Sequence, residues 1–465
     1  MNAAPWRDEA KRALAPRLLL AAIAVGAASG VAGVAFRLAL NGVQWLAFGA
    51  GGEMLLTALA GVPAWRIALA PALGGLAVGL YFHFVLPGRR LLGPADVIEG
   101  VWRHGGVLPV RRTLLGAVAN ALSLGVGASV GREGPIVLLG GALGSGLGAL
   151  AKFAAAELRL LVACGVAGCV AASFNAPLAA PIFALEVVLL TYRPAPLAAL
   201  ALASVAGTLV GRACFGSAPL FPLPAHGFPA PIDYPAAALL GAAAAAAALA
   251  MMAGIFKAGD VNGRLGGPQW LKTGAAGLAV GILALWVPQV LSYGQEATHA
   301  AMLDRYGLAF LLAIVAAKLA ATAVSLGFGF GGGVFSPSLV LGSALGGAFG
   351  HGLALIVPGA AAPGAYAAIG AAAVSAPVLG APVSTVLIVL EMTEAWRLAP
   401  GMAVAVLVAT AICRKMIGRS FFTWQLQRRG VVAGPTPHER SVRVEGPLGP
   451  AHENAPDSSP ARGER

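Results

Sequence analysis

Continuous apolar runs, with no alternation of polar and apolar positions, pattern this chain. Segments 18–49, 65–86 and 107–129 are long enough to span or nearly span a bilayer as helices. Shorter apolar pieces follow at 135–151, 158–173, 176–191 and 194–213. A stretch at 216–235 then holds six prolines and neither Lys nor Arg, which marks a linker. Apolar runs resume at 236–256, 273–288, 306–326, 338–357, 364–379, 383–393 and 398–413. Runs that are continuous and rich in Ala and Leu exclude a β-barrel, whose strands alternate. Many pieces are too short to cross a bilayer, so helix ends are expected inside it, where only a protein-lined cavity can satisfy their backbone groups. The expected organisation is a short N-terminal segment (1–17), a first membrane unit (18–215), the Pro-rich linker (216–235), a second membrane unit (236–433) and a disordered tail (434–465).

Composition agrees with this reading. Hydrophobic residues make up 58% of the 465, charged residues 11%, and mean hydropathy is +0.81. A soluble domain needs roughly 25% charged residues to cover its surface. The 64 glycines and 32 prolines suit broken and tilted helices. The net charge of +12 comes from basic residues at the ends of apolar runs, so it reads as membrane topology and not as nucleic-acid binding. Arg7, Lys11, Arg12 and Arg17 precede the first run, and Arg414, Lys415, Arg419, Arg428 and Arg429 follow the last. Both termini are therefore expected on the cytoplasmic side, in the inner membrane of a bacterium, with Lys257, Arg264 and Lys272 in a cytoplasmic loop. Because the linker lacks cations, the two units are expected to run in opposite directions. The run from Leu18 to Phe36 is followed by further spans, so it reads as an uncleaved first helix. Cys164, Cys169, Cys214 and Cys413 stand singly in apolar surroundings, as small core residues would.

Two local signatures occur twice. Gly131-Arg132-Glu133-Gly134-Pro135 opens one apolar run and Gly333-Val334-Phe335-Ser336-Pro337 opens another. Ala176-Pro177-Leu178 lies nine residues, counted from its proline, ahead of Glu186, and Ala381-Pro382-Val383 lies the same nine ahead of Glu391. From Pro135 to Pro177 is 42 residues and from Pro337 to Pro382 is 45. Four landmarks in one order mark a duplicated unit, and such units in transporters usually meet around the substrate. A Gly-rich turn followed by Pro in the first helical turn leaves N–H groups unpaired at a helix N-terminus, where the helix dipole favours an anion. Two such termini hold an anion without a full positive charge, which would bind it too tightly for release. Glu133 is a carboxylate at one of these termini. It either competes with external anions for the same amides and leaves on protonation, or serves as a helix cap or ion-pair partner of Arg132.

The chain strongly resembles the CLC family of chloride channels and proton-coupled chloride exchangers, in its bacterial form without appended CBS domains. Residues 131–135 match the family's GREGP motif, so the resemblance implies that Glu133 is the gating glutamate, flanked by Gly131, Arg132 and Gly134. Residues 333–337 match GxFxP, which implies that the Gly333, Val334 and Phe335 segment presents amides to the anion. Phe174-Asn175-Ala176-Pro177-Leu178-Ala179 and Leu390-Glu391-Met392-Thr393 are also similar to family segments, and the likeness covers roughly residues 15 to 430. It implies an all-α fold of tilted, partly re-entrant helices in an inverted repeat. It further implies a homodimer in the lipid bilayer, with chloride or another small anion as partner, and calls for no cofactor or metal.

Three positions depart from the family pattern. Gly93, in Leu92-Gly93-Pro94-Ala95-Asp96, stands where a serine hydroxyl usually meets the central anion. Phe422 stands where a tyrosine hydroxyl does. Val187, after Glu186, stands where exchangers carry a second glutamate that passes protons inward. Passive or weakly proton-coupled transport is thus the expectation, with a tightly coupled chloride, fluoride or nitrate/proton antiporter as the alternative. Glu186 and Glu391 are expected to be structural caps or ion pairs. Lys318 either snorkels or adds positive potential to the pathway. His83, His104 and His226 are expected in loops or interfaces, and Tyr192, Trp45, Trp65 and Trp396 in an interfacial belt. A membrane enzyme would need a clustered nucleophile and base or a metal set, and neither is evident. A cation-coupled carrier of an organic solute fits the Gly/Pro helix starts less well than a small anion does.

Overall fold

The computed structural model describes residues 13–86, 92–223 and 231–431. Among these residues the backbone is helical, and the only strand-like pairing is one isolated bridge. The first unit holds α1 (Pro16–Phe48), α2 (Leu55–Leu59), α3 (Ala64–Phe84), α4 (Pro94–Arg103), α5 (Val110–Gly125), α6 (Glu133–Leu150), α7 (Ala155–Phe174), α8 (Ala179–Phe183) and α9 (Leu197–Phe215). A single π-turn, Ala184–Val188, extends α8. The second unit holds α10 (Asp233–Arg264), α11 (Gln269–Ala284), α12 (Gln295–Met302), α13 (Leu308–Gly327), α14 (Phe335–Ala354), α15 (Pro363–Leu379), α16 (Pro382–Thr393), α17 (Ala399–Ile417) and α18 (Phe421–Arg428). Among the described residues, eight helical segments are long and apolar enough to cross a membrane.

Proline and glycine set many of the boundaries. Proline occupies the first turn of α1, α4, α15, α16 and α17, where the missing N–H would have had no helical partner. Gly380 and Gly418 end α15 and α17 in the left-handed conformation, at φ of 73° and 67°. α1 runs for 33 residues, roughly 50 Å of helix, so it must tilt to fit a bilayer core of about 30 Å.

The two units repeat helix by helix. In order, α1, α3, α4, α5, α6, α7, α8 and α9 correspond to α10, α11, α12, α13, α14, α15, α16 and α17. Packing repeats with them. A Cβ on Gly140 of α6 would lie 2.3 Å from the Gly165 carbonyl oxygen of α7, and one on Gly342 of α14 would lie 2.2 Å from that of Gly370 in α15. Likewise Gly26 of α1 meets Ala203 of α9, and Gly241 of α10 meets Ala405 of α17, at hypothetical Cβ-to-oxygen distances of 2.2 and 2.5 Å. Within a membrane small residues let backbones touch, and that contact replaces the hydrophobic drive that water would supply. Across the pseudo-symmetry axis α3 and α11 close on each other in the same way, with Gly277 against Pro71 and Gly281 against Ala68. The fold is thus the expected inverted repeat of helices.

Several expectations change in detail. The apolar piece at 176–191 is not one helix but the short α8 and its π-turn. The linker is partly structured: the Phe221 amide donates to the Met392 carbonyl at 2.8 Å, and the Phe221 ring is buried. Asp233, counted with the linker, opens α10 and is fully buried, accepting from the Ala361 amide and the Tyr366 hydroxyl. Cys164, Cys169 and Cys413 are buried, but Cys214 is exposed, so it is not a core residue. Trp45, Trp65, Trp396 and Tyr192 are exposed on the surface. Residues 1–12, with Arg7, Lys11 and Arg12, His226, and the tail at 434–465 lie outside the described residues.

The glycine contacts generate a stability prediction. Gly370→Ala and Gly165→Ala place a methyl against a backbone oxygen and should each cost about 1–3 kcal/mol through overpacking. Gly263→Ala in α10 meets open space and should be neutral or stabilising by about 1 kcal/mol. Thermal unfolding in detergent, followed by retention of the monodisperse peak, checks the contrast; equal Tm values for all three variants would refute it.

Candidate functional site

The starts of α6 and α14 face each other at the centre of the fold. Gly131 and Gly333, which precede them, form the isolated antiparallel bridge: each amide donates to the other's carbonyl at 2.8 Å. The two motifs recognised 202 residues apart are therefore one structure, joined symmetrically. A third close approach, of Gly134 to the backbone of Gly332 and Gly333, leaves space only for glycine.

Glu133 is buried at 2% exposure and its carboxylate reaches across the bridge to the start of α14. Phe335 donates its amide to Oε1 at 2.5 Å, and Ser336 donates its amide to Oε2 at 3.3 Å and its hydroxyl to Oε2 at 3.0 Å. A carboxylate thus occupies the anion position that the helix dipole and unpaired N–H groups create. It caps the helix of the opposite repeat. Among the described residues Glu133 makes no ion pair with Arg132, the other reading of the sequence. Gly131 and Gly333 also make room here, because a Cβ on either would lie within 2.5 Å of Glu133 carboxylate atoms.

The remaining sequence-predicted residues fall in three places. Arg132 is buried beside Glu133, with its guanidinium 4.8 Å from the Phe174 ring centre and 5.1 Å from that of Tyr293. Val334 is buried at the N-cap of α14, next to the Phe335 amide. Gly93 and Phe422 stand at the starts of α4 and α18, and Asp96 near the α4 start pairs at 3.2 Å with Arg429 at the far end of α18. The Gly93 amide donates to Asp96 Oδ2 at 2.7 Å, and a Cβ on Gly93 would meet nothing within 4 Å. Phe422 is buried against the edge of Phe421. No hydrogen bond joins this pair to Glu133 among the described residues. Val187 is buried in apolar surroundings within the π-turn.

The flanking glutamates are caps, exchanged between the repeats. Glu186, at the end of the α8 segment, accepts from the Val383 and Ser384 amides at 3.1 and 2.8 Å and from the Ser384 hydroxyl at 2.6 Å, all at the start of α16. Tyr192 adds its hydroxyl at 2.5 Å. Glu391, near the end of α16, accepts from Leu178 and Ala179 at 2.9 and 2.8 Å, at the start of α8. Lys318 does not snorkel. It is buried, and its ammonium donates to the Val290 and Ser292 carbonyls at 2.9 and 3.2 Å, holding the loop that carries Tyr293.

Sequence reasoning missed Ser336 and Tyr293 as members of the site. Ser336 sat inside a quoted motif, and a hydroxyl next to the α14 start was a readable donor. Tyr293 comes from a loop whose sequence carries no motif.

Comparison with known proteins places this geometry. The family described as "Voltage gated chloride channel" matches residues 74–414. A relative from Ralstonia nicotianae described as ClcB-like is 34% identical over 341 residues, covering 72% of this chain and 79% of its own. The voltage-gated ClC-type chloride channel ClcB of Escherichia coli is 31% identical over 410 residues, covering 86% and 96%. Among solved structures, a slow cyanobacterial Cl−/H+ antiporter superposes with a TM-score of 0.80 at 26% identity, over 90% of this chain and 98% of its own. The chain belongs to the voltage-gated chloride channel (CLC) family, and its activity is the transport of anions across a membrane.

Proposed function

We propose that this protein conducts small monovalent anions, chloride foremost, passively or with weak proton coupling, through a pathway gated by Glu133. One such pathway lies in each subunit of a homodimer, with both termini cytoplasmic. The observation that carries the gate is the Glu133 carboxylate seated on the Phe335 and Ser336 donors. An anion and the carboxylate compete for the same donors, so conduction requires the side chain to leave. Protonation removes the charge that holds it, because bonds to a charged acceptor are worth about 1.5–3 kcal/mol against about 1 for neutral ones. The anion then moves between the starts of α6 and α14 toward Gly93 and Phe422, with Gly131, Arg132, Gly134, Gly333, Val334 and Phe335 around it.

Weak coupling is supported by what surrounds Val187 and Glu186. Val187 offers a proton no stop, and an apolar stretch without a titratable group or a water chain is a high barrier. Glu186 does not substitute for it, because four donors hold its carboxylate at the start of α16. A tightly coupled antiporter is the second reading, favoured by the likeness to a Cl−/H+ antiporter structure.

Three measurements test the proposal. In liposomes, anion efflux should rise as pH falls, and Glu133→Gln should be open at every pH; an unchanged pH profile in the variant removes Glu133 from the mechanism. The central site lacks the serine and tyrosine hydroxyls, so calorimetry should find weak chloride binding. Gly93→Ser, which fits the open space at that Cβ, and Phe422→Tyr should each tighten binding by about tenfold, the worth of roughly 1.4 kcal/mol. Tight binding by the wild type would show that another group fills the role. Under opposed chloride and proton gradients, the wild type should carry chloride with little proton movement. Proton uptake at a fixed ratio to chloride across a range of voltages would establish the antiporter instead.

A further inference from the structure

Beside the proposed gate lies a small, partly open cavity into which Arg132, Phe174, Phe221, Tyr293, Gln295 and Ser336 project. Its chemistry is unusual for a membrane interior. Arg132 is 95% buried (5% exposed), yet among the described residues its guanidinium makes no hydrogen bond, and its Nε is a buried donor with no partner. Only aromatic faces attend it, those of Phe174 and Tyr293. The carboxylates that might neutralise it are engaged elsewhere. Glu133 is spent on Phe335 and Ser336, and Glu53 is paired with Arg37. A buried cation without an anionic partner is costly, and in a membrane protein such a residue marks an ion pathway.

We propose that this cavity is an anion station ahead of the gate, where a monovalent anion bound to Arg132 waits for Glu133 to move. The inference rests on the gating role of Glu133 and adds a site that the backbone amides do not supply. Ser336 links the two positions. It lines the cavity, and its hydroxyl, free to rotate, donates to Glu133 while the gate is shut and to the incoming anion once the carboxylate withdraws. Gln295 adds an amide at the rim; its Oε1 is also without a partner, so its orientation follows whatever occupies the cavity. The aromatic faces leave the guanidinium edge as the attractive element, and a dehydrated halide suits it better than a divalent oxyanion, whose second charge nothing there offsets.

Crystals of the wild type and of Glu133→Gln grown in bromide, with anomalous scattering as readout, test the proposal. Wild-type crystals should show bromide in the Arg132 cavity alone. Glu133→Gln crystals should show it both there and at the Phe335 and Ser336 amides. Arg132→Gln should lose the outer peak, keep the inner one when combined with Glu133→Gln, and raise the half-saturating chloride for liposome efflux about tenfold, the worth of one charge-assisted bond. Bromide at the amides with only water between Arg132 and Gln295 overturns the station and leaves the gate standing. Bromide at neither position in Glu133→Gln overturns the gate as well. The first two crystals decide the matter even if Arg132→Gln fails to fold.

Discussion

The structure depends on one constraint: two helix starts must meet inside a membrane, and their unpaired amides must be satisfied there without water. The Gly131–Gly333 bridge fixes the distance between them, and everything nearby follows from it. Each glycine in the bridge must lack a side chain because the Glu133 carboxylate fills that space. The carboxylate in turn satisfies the α14 amides that no backbone carbonyl can reach. A hydrogen-bonding deficit that would destabilise an ordinary membrane helix is here met by a carboxylate from the opposite repeat. On the proposed mechanism that carboxylate leaves, and the donors it vacates would favour an anion.

The same deficit is met a second time, permanently, by the glutamates exchanged between repeats. Glu186 caps α16 and Glu391 caps α8, each with at least two backbone amides on one carboxylate. Three carboxylates thus do chemically similar work, and their surroundings separate the roles. Glu186 is held by four donors, among them the hydroxyls of Ser384 and Tyr192, and Glu391 sits on paired amides near the Arg212 and Asn175 pair. Beside Glu133, the side chains of Arg132 and Ser336 line a small cavity. In the proposed mechanism, Glu133 is the cap that leaves.

Much of this was legible in the sequence because duplication repeats its signals. Gly-x-x-x-Pro twice, and Pro followed nine residues later by Glu twice, located Glu133, the opposed helix starts and the capping glutamates. The positions that escaped notice share a physical character. α4, α12 and α18 were not among the expected runs because they are short and mix polar with apolar residues, as in Gln295–Met302. Tyr293 reaches Arg132 from a non-helical loop, positioned by the Lys318 ammonium on the Ser292 carbonyl, and no periodicity encodes such a contact. That Glu133 would bind the opposite repeat is likewise a tertiary fact, since the partners lie 202 and 203 residues apart.

The redistribution of donors along the path ties these observations together. Gly93 and Phe422 bring no hydroxyl of their own to the α4 and α18 starts, where the Ser420 and Thr423 hydroxyls serve to cap α18, while Ser336 places one at the α14 start, directly on Glu133. In the proposed pathway, binding strength therefore shifts outward, toward Glu133 and Arg132. A carboxylate held by a hydroxyl as well as amides is harder to displace by anion alone, so on this proposal protonation carries more of the opening. An ion past the proposed gate would meet weaker ligands and leave readily. Strong holding at Glu133 and weak holding past it would make the gate the limiting step. Such a pathway would need no proton relay through Val187 for turnover, only an occasional proton from the side on which Glu133 is reached.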